Sequence, residues 1–158
     1  MNDAGIVTIA PVKKSVLLRV PQARAFEVFT AGLDRWWPKG HHIGPAEPKQ
    51  VLIEPRIGGR WFERTADGVE TAVGHVLIWE PPQRFAISWE INGEWKSDPG
   101  RGSEVEVRFI AESAERTRVE LEHRLFERIG VEAGTKMHDS VERGWPGILE
   151  LFKTSVEG

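Results

Sequence analysis

The residue with the clearest chemical potential is Glu63, a carboxylate within a segment that has the pattern of a β-strand. Residues 59–65 read GRWFERT, and successive side chains of a strand point to opposite faces. Because Arg60 and Arg64 require water, Trp61 and Glu63 are predicted to face inward. Conflicts between polarity and patterning collect at functional sites. Glu63 could transfer protons or orient a ligand; alternatively, it lies at the rim and pairs with an arginine.

His123 is the second candidate, since it ends an alternating segment, residues 117–123, whose apolar members share its face. It could act as a base or donate a hydrogen bond to the polar end of a ligand. Glu63 and His123 would then form an acid–base pair. A core histidine bonded to a backbone carbonyl fits the same pattern. His75 lies on a segment that is apolar on both faces, so its direction is not fixed by the pattern.

Three other patterns do not support the chemistry that they resemble. His41 and His42 are adjacent, so their side chains diverge, and no third ligand stands at a zinc-like spacing. The pair Gly58-Gly59 precedes a strand, which argues against a phosphate-binding loop. The serines lack the context of a nucleophile elbow, and the chain has no cysteine, which excludes disulfides and thiolate sites. We expect no metal and no cofactor.

The composition narrows the class of protein. A length of 158 residues suits one domain, and we expect a flexible arm at residues 1–10 and a single domain at 11–158. The chain has 21 basic and 24 acidic residues, interleaved along its length, which argues against a nucleic-acid partner. No signal-peptide pattern opens the chain and no apolar run approaches ~18 residues. We therefore expect a cytoplasmic protein without stable membrane insertion.

The elements that position these residues follow from the period of the apolar side chains. Residues 13–20 are predicted to form a strand, which Pro21 ends by starting a helix that continues to Phe29. A second helical turn is predicted at 33–37. From residue 50 to residue 126, apolar and polar side chains alternate with a period of two. Each strand is therefore predicted to have one solvent-exposed face and one buried face, as in antiparallel strands that are covered on one side.

The cover is predicted to be a C-terminal helix. Apolar residues between Met137 and Phe152 recur at helical spacing. Pro146 lies inside this stripe and predicts a kink or a fresh start near 144–146. The predicted class is α+β, with a helix-grip fold: a curved antiparallel sheet of about six to seven strands wrapped around a long C-terminal helix, with two short helices after the first strand.

Five segments, in this order, resemble the START-like (SRPBCC) superfamily. They are AFEVF at 25–29 with Leu33 and the WW pair at 36–37, GGRWFE at 58–63, GHVL at 74–77 with WEPP at 79–82 and Trp89, TRVELEH at 117–123, and GWPGIL at 144–149. The resemblance covers roughly residues 12–156 and is strongest to the branch of the C-terminal domain of the activator of heat-shock protein 90 ATPase.

This resemblance implies a deep apolar cavity between sheet and helix. Relatives in the superfamily hold lipids, sterols, plant hormones or polyketides there, and a minority catalyse cyclisation or dehydration. We predict that the cavity is lined by Trp37, Ile53, Trp61, Glu63, Val76, Ile78, Phe85, Ile87, Trp89, Val107, Leu121, His123, Trp145 and Leu149.

Three functions are compatible with these observations. The leading hypothesis is binding of an apolar or amphipathic, lipid-like small molecule in the cavity. An alternative is an enzyme of cyclase or dehydratase type that uses Glu63 and His123 as acid and base. The third is a module that contacts a chaperone through exposed tryptophans and residues 92–102. That loop, which contains Trp95, could equally close the pocket as a lid or form a homodimer contact.

Overall fold

The computed structural model describes residues 8–158, in which an antiparallel sheet wraps around a long helix. The strands are β1 (Val12–Leu18), β2 (Gln50–Ile53), β3 (Arg60–Arg64), β4 (Glu70–Glu80), β5 (Arg84–Trp89), β6 (Ser103–Ser113) and β7 (Arg116–Arg124). They pair in the order β1-β7-β6-β5-β4-β3-β2. The helices are α1 (Gln22–Thr30), α2 (Leu33–Trp36) and α3 (Val131–Glu157). The predicted α+β helix-grip class is confirmed.

Alternation of apolar and charged side chains gives the sheet a dry inner face and a charged outer face. On β6, Val105, Val107 and Phe109 are buried, whereas Arg108 between them is exposed. Val107 pairs with Leu121 of β7, so that the apolar positions of neighbouring strands meet on the same face. A row of branched and aromatic side chains therefore forms one side of the core.

Helix α3 covers the dry face with a buried stripe at helical spacing. The buried residues of this stripe include Met137, Val141, Trp145, Ile148, Leu149, Phe152 and Val156. The helix continues through Pro146 without interruption, so the predicted fresh start is not observed. Pro146 and Glu142, whose carbonyl loses its helical donor, are both exposed. Water can satisfy that carbonyl, which makes the proline tolerable within the helix.

Strand β4 departs from strict alternation, and this departure fixes the direction of His75. Its register shifts against β3 next to Trp61 and against β5 between Val76 and Ile78. Because a bulge adds one residue to a strand, the side chains beyond it change face. His75 consequently pairs with Arg60 on the outer face. The two shifts explain why the sequence of this strand is apolar on both faces.

The segment before β1 has no regular secondary structure in residues 8–11, and residues 1–7 of the predicted arm lie outside the described residues. Ile9 packs against the core, and its amide donates a hydrogen bond to Glu127 Oε1 at 3.3 Å. Glu127 belongs to a 3-10 turn, Phe126–Ile129, that joins β7 to α3. Within residues 8–158, no helix has both the length and the apolar composition to cross a bilayer.

Candidate ligand-binding cavity

A cavity of about 350 Å³ lies between α3 and the half of the sheet that contains β2 to β5. The strands and the segment after β5 contribute Val51, Trp61, Glu63, Val73, Trp89 and Ile91 to its wall. Helix α3 contributes Ser140, Val141, Gly144, Trp145 and Ile148. Trp37, residues 40–43 and Trp95 complete it. A mostly apolar wall with few polar groups is typical of small-molecule sites, which commonly enclose ~300–1,000 Å³.

Four tryptophans form a closed ring of contacts in this wall, which we call the tryptophan ring. The centroid distances are 5.0 Å between Trp37 and Trp61 and 6.1 Å between Trp61 and Trp89. They are 5.6 Å between Trp89 and Trp145 and 6.1 Å between Trp145 and Trp37. The planes meet at 59–82°, close to the edge-to-face geometry that aromatic pairs prefer. Mutually packed indole rings therefore form part of the cavity wall.

The indole N–H groups of this ring differ in their hydrogen bonding. Trp145 donates to Nδ1 of His123 at 3.1 Å. The indole nitrogens of Trp61 and Trp89 are buried and have no hydrogen-bond partner among residues 8–158. Leaving a buried donor unsatisfied costs about 1–3 kcal/mol, so such groups require an explanation.

Glu63 is 4 % exposed and holds the loop between α2 and β2 across the cavity. Its Oε2 accepts the N–H of Ile43 at 2.8 Å, and its Oε1 accepts the N–H of Gly44 at 2.9 Å. We call these two bonds the Glu63 clamp. A β-carbon at position 44 would lie 2.9 Å from Thr71 Oγ1 and 3.1 Å from Glu63 Oε1, so the loop approaches this closely only with glycine. The carboxylate pairs with backbone amides, and the alternative of a pairing with an arginine is not observed among residues 8–158.

His123 lies outside the cavity wall, fully buried behind the tryptophan ring. Its Nδ1 accepts the Trp145 bond, so Nε2 carries the proton and donates to Ser103 Oγ at 2.7 Å. Burial lowers the pKa of His123 to about 3, and the neighbouring His138 acts in the same direction. His123 is thus a neutral core histidine whose partners are a hydroxyl and an indole, and a backbone carbonyl is not among them.

Trp95 lies in the cavity wall and is 41 % exposed, so it stands where the cavity meets solvent. Its φ of 59° is in the left-handed region, which is strained for a bulky side chain and recurs at ligand sites. The backbone there is held by Asn92 Oδ1, which accepts the N–H groups of Glu94 and Lys96 at 3.0 and 3.1 Å. The role of loop 92–102, as a lid, a chaperone contact or a homodimer contact, stays a prediction.

His75 supports the same loop from the outer face of the sheet. Its Nδ1 lies 2.7 Å from Oε2 of Glu90, which also bonds the hydroxyl of Ser88. The other oxygen of Glu90 accepts the N–H of Gly100 at 2.6 Å. His75 is therefore linked through Glu90 to the loop that carries Trp95, and it does not line the cavity.

The structure brings five of the predicted lining residues together around the cavity and places the others elsewhere. The five are Trp37, Trp61, Glu63, Trp89 and Trp145. Seven others are buried in the packed core, namely Val76, Phe85, Ile87, Val107, Leu121, His123 and Leu149. Ile53 is half-buried against the core, and Ile78 pairs with Ala86 after the second bulge of β4. Contact of any of these residues with a ligand stays a prediction.

The predicted lining residues on the other half of the sheet do not reach the cavity, because aromatic side chains pack against that half of the fold. Phe29 of α1 packs 5.5 Å from Phe85, 5.8 Å from Phe109 and 4.9 Å from Phe152 between ring centroids. Sequence reasoning missed wall residues from the loop after α2, which its proline and glycine content marks as exposed. The apolar stripe of α3 already contained Val141 and Ile148, and their spacing from Trp145 could have identified them.

Comparison with solved structures supports the fold. The chain is 39% identical to an anthrahydroquino-γ-pyrone synthase, covering 83% of this chain and 86% of that one, with a TM-score of 0.58. It is 30% identical to CalC, a self-sacrificing resistance protein from Micromonospora echinospora, covering 92% and 93%, with a TM-score of 0.70. CalU16 from the same organism is 24% identical, covers 94% and 74% with a TM-score of 0.61, and supports the fold alone. The comparison with curated proteins found no match.

The family assignment rests on most of the chain. The family described as "Activator of Hsp90 ATPase homolog 1-like protein" matches residues 19–157, from the end of β1 to the end of α3. The resemblance to the START-like superfamily that the sequence motifs indicated is confirmed. The chain belongs to the activator of Hsp90 ATPase homolog 1-like family.

Proposed function

We propose that the protein binds an apolar, fused-ring aromatic small molecule in the cavity. The observation that carries this proposal is the tryptophan ring, since four mutually packed indoles lie in the cavity wall and a flat aromatic ligand can add to their aromatic contacts. The cavity holds about 350 Å³, whereas a cavity of roughly 150 Å³ accommodates one benzene. Two or three fused rings therefore match the available space.

One of the named relatives supports an aromatic ligand over an aliphatic one. The synthase that is 39% identical is named for an anthrahydroquino-γ-pyrone, a compound of fused rings. The resistance protein that is 30% identical belongs to the same fold. In this chain, the walls that would meet such a compound are indoles, and the entrance carries Trp95.

Two glycines of α3 provide a matched pair of variants to test the proposal. A β-carbon at Gly144 or at Gly147 would meet no atom within 4 Å. Gly144 lines the cavity, whereas Gly147 is exposed on the same helix. In Gly144→Leu, four added carbons at about 30 Å³ each, the volume of a water in the liquid, would occupy about a third of the cavity. Gly147→Leu makes the same change outside it.

The assay is native mass spectrometry after incubation with fused-ring aromatic compounds, with palmitate as the aliphatic comparison. We expect the wild-type chain and Gly147→Leu to retain the aromatic compounds equally. Retention by Gly144→Leu should fall at least tenfold. Failure of the wild-type chain to retain any aromatic compound would refute the proposal. Equal retention by Gly144→Leu and the wild-type chain would show that the ligand binds outside the cavity and would also refute the proposal.

A second candidate function, ring-closing catalysis, is favoured by the identity to the synthase and by the presence of a carboxylate, Glu63, in the wall. The pairing of Glu63 with His123 is not part of this proposal, because both ring nitrogens of His123 are already bonded behind the wall. Mass analysis of the released compound separates the two functions, since binding returns it unchanged. A homodimer, a chaperone partner and a cytoplasmic location stay predictions.

A further inference from the structure

We infer that the ligand is neutral and carries a carbonyl-type oxygen that accepts a hydrogen bond from the indole N–H of Trp61 or Trp89. This inference rests on the proposed function and specifies its ligand class. Quinones and pyrones satisfy it, whereas pure hydrocarbons and fatty acids do not.

The first support is the location of the unsatisfied donors. Among residues 8–158, the buried side-chain nitrogens and oxygens that lack a hydrogen-bond partner are the indole nitrogens of Trp61 and Trp89. Both indoles lie in the cavity wall. Two other buried tryptophans are satisfied, since Trp36 donates to the carbonyl of Val28 at 2.9 Å and Trp145 donates to His123. The unsatisfied donors therefore belong to two residues of the cavity wall.

The second support is that the two donors are neighbours. Trp61 and Trp89 meet at 6.1 Å between ring centroids and at 81° between planes, so one ligand can contact both. Both nitrogens are buried. A ligand oxygen reaches them when a flat molecule separates these edge-on contacts, and the hydrogen bond then offsets the desolvation of each N–H.

The third support concerns charge. Among the described residues that line the cavity, none is a lysine or an arginine, and Glu63 contributes a carboxylate. An anionic ligand would be brought beside that carboxylate without a lysine or arginine to pair with, since the basic side chains of the wall are the imidazoles of His41 and His42. An unpaired charge in an apolar site is strongly unfavourable. A neutral acceptor avoids this penalty. The wall therefore favours a carbonyl oxygen over a carboxylate as the polar group of the ligand.

Three probes with the same two-ring frame separate the effect of a carbonyl oxygen and the effect of a negative charge from that of the rings alone: naphthalene, 1,4-naphthoquinone and 2-naphthoate. Because the chain has no cysteine, the quinone is not consumed by thiols. Affinities are measured by calorimetry on the full chain, and the indole N–H cross-peaks are followed by ¹⁵N NMR. Trp61→Phe and Trp89→Phe assign the two cross-peaks. Trp145, whose N–H is already bonded to His123, serves as the internal control.

We expect the quinone to bind about tenfold more tightly than naphthalene, the effect of one hydrogen bond to a buried donor. Naphthoate should bind more weakly than either. The cross-peak of Trp61 or Trp89 should move downfield with the quinone and not with naphthalene. Equal affinities for quinone and naphthalene, without a distinct indole shift, would overturn the inference and leave the proposed function standing. Absence of binding by all three probes would overturn both.

Discussion

Replacing Glu63 by alanine should release the loop that closes one side of the cavity. The substitution removes both acceptors of the Glu63 clamp and leaves the N–H groups of Ile43 and Gly44 without partners. A hydrogen bond to a charged acceptor contributes about 1.5–3 kcal/mol, and about 1.4 kcal/mol corresponds to a factor of ten. We therefore expect amide hydrogen exchange at Ile43 and Gly44 to accelerate by about 10- to 150-fold.

The assay is native-state hydrogen exchange read residue by residue by NMR, and Glu54→Ala is the matched control. Glu54 Oε1 accepts the N–H of Arg60 at 2.7 Å, but Glu54 lies outside the cavity wall. In Glu63→Gln, one amide oxygen remains as an acceptor, so one of the two loop amides should keep its protection.

Two results would refute the clamp. Unchanged exchange at both loop amides in Glu63→Ala would mean that the loop holds its conformation without the carboxylate. Equal acceleration in Glu54→Ala would mean that the effect is a general loss of stability. Because residues 40–43 form part of the wall, a confirmed clamp also predicts weaker ligand retention by Glu63→Ala in the mass-spectrometric assay.

Two further predictions concern the pH dependence of stability. Glu106 is buried, which acts to raise its pKa, but hydrogen bonds from Arg108, Arg124 and Arg84 lower the pKa to about 2 from the usual 4.5. The lowered pKa of Glu106 contributes about 3 kcal/mol to the free energy of unfolding above pH ~5, and this contribution is lost towards pH ~2. Urea denaturation should show that loss in the wild-type chain and not in Glu106→Gln. His123, with its pKa lowered to about 3, stays neutral in the folded chain while the unfolded chain binds a proton below pH ~6.5. As the pH falls from ~6.5 to ~5, the free energy of unfolding of the wild-type chain should therefore fall by about 2 kcal/mol relative to that of His123→Gln. If the free energies of unfolding of the two proteins changed in parallel with pH, the assignment of His123 as a neutral core histidine would be contradicted.

The inner face of the sheet was predictable because one face of each strand meets water. On β6 and β7 the charged residues leave a single choice, and Val107 and Leu121 lie inside as expected. On β4 the same reasoning fails, since the bulges change the phase and an apolar sequence gives no sign of where they occur. The faces on which His75 and Ile78 lie could be assigned only once the register of β4 was known.

The division between cavity and core was not predictable from the pattern. Alternation says which face a side chain occupies, but not whether another side chain fills the space in front of it. Here Phe26 and Phe29 of α1 close one half of the fold, at 6.2 and 5.5 Å from Phe85. The role of the loop after α2 was also hidden, because it depends on a contact with Glu63, 20 residues away from Ile43.

The tryptophan ring also gives the protein a built-in optical signal. The chain has seven tryptophans and no tyrosine, and five of the tryptophans line the cavity. Near-ultraviolet circular dichroism depends on fixed packing of aromatic side chains, so the cavity wall contributes five of the seven tryptophan chromophores to that spectrum. A molecule that entered the cavity would alter the packing of these chromophores. Occupancy can thus be followed in unlabelled protein, by light that the wall itself absorbs.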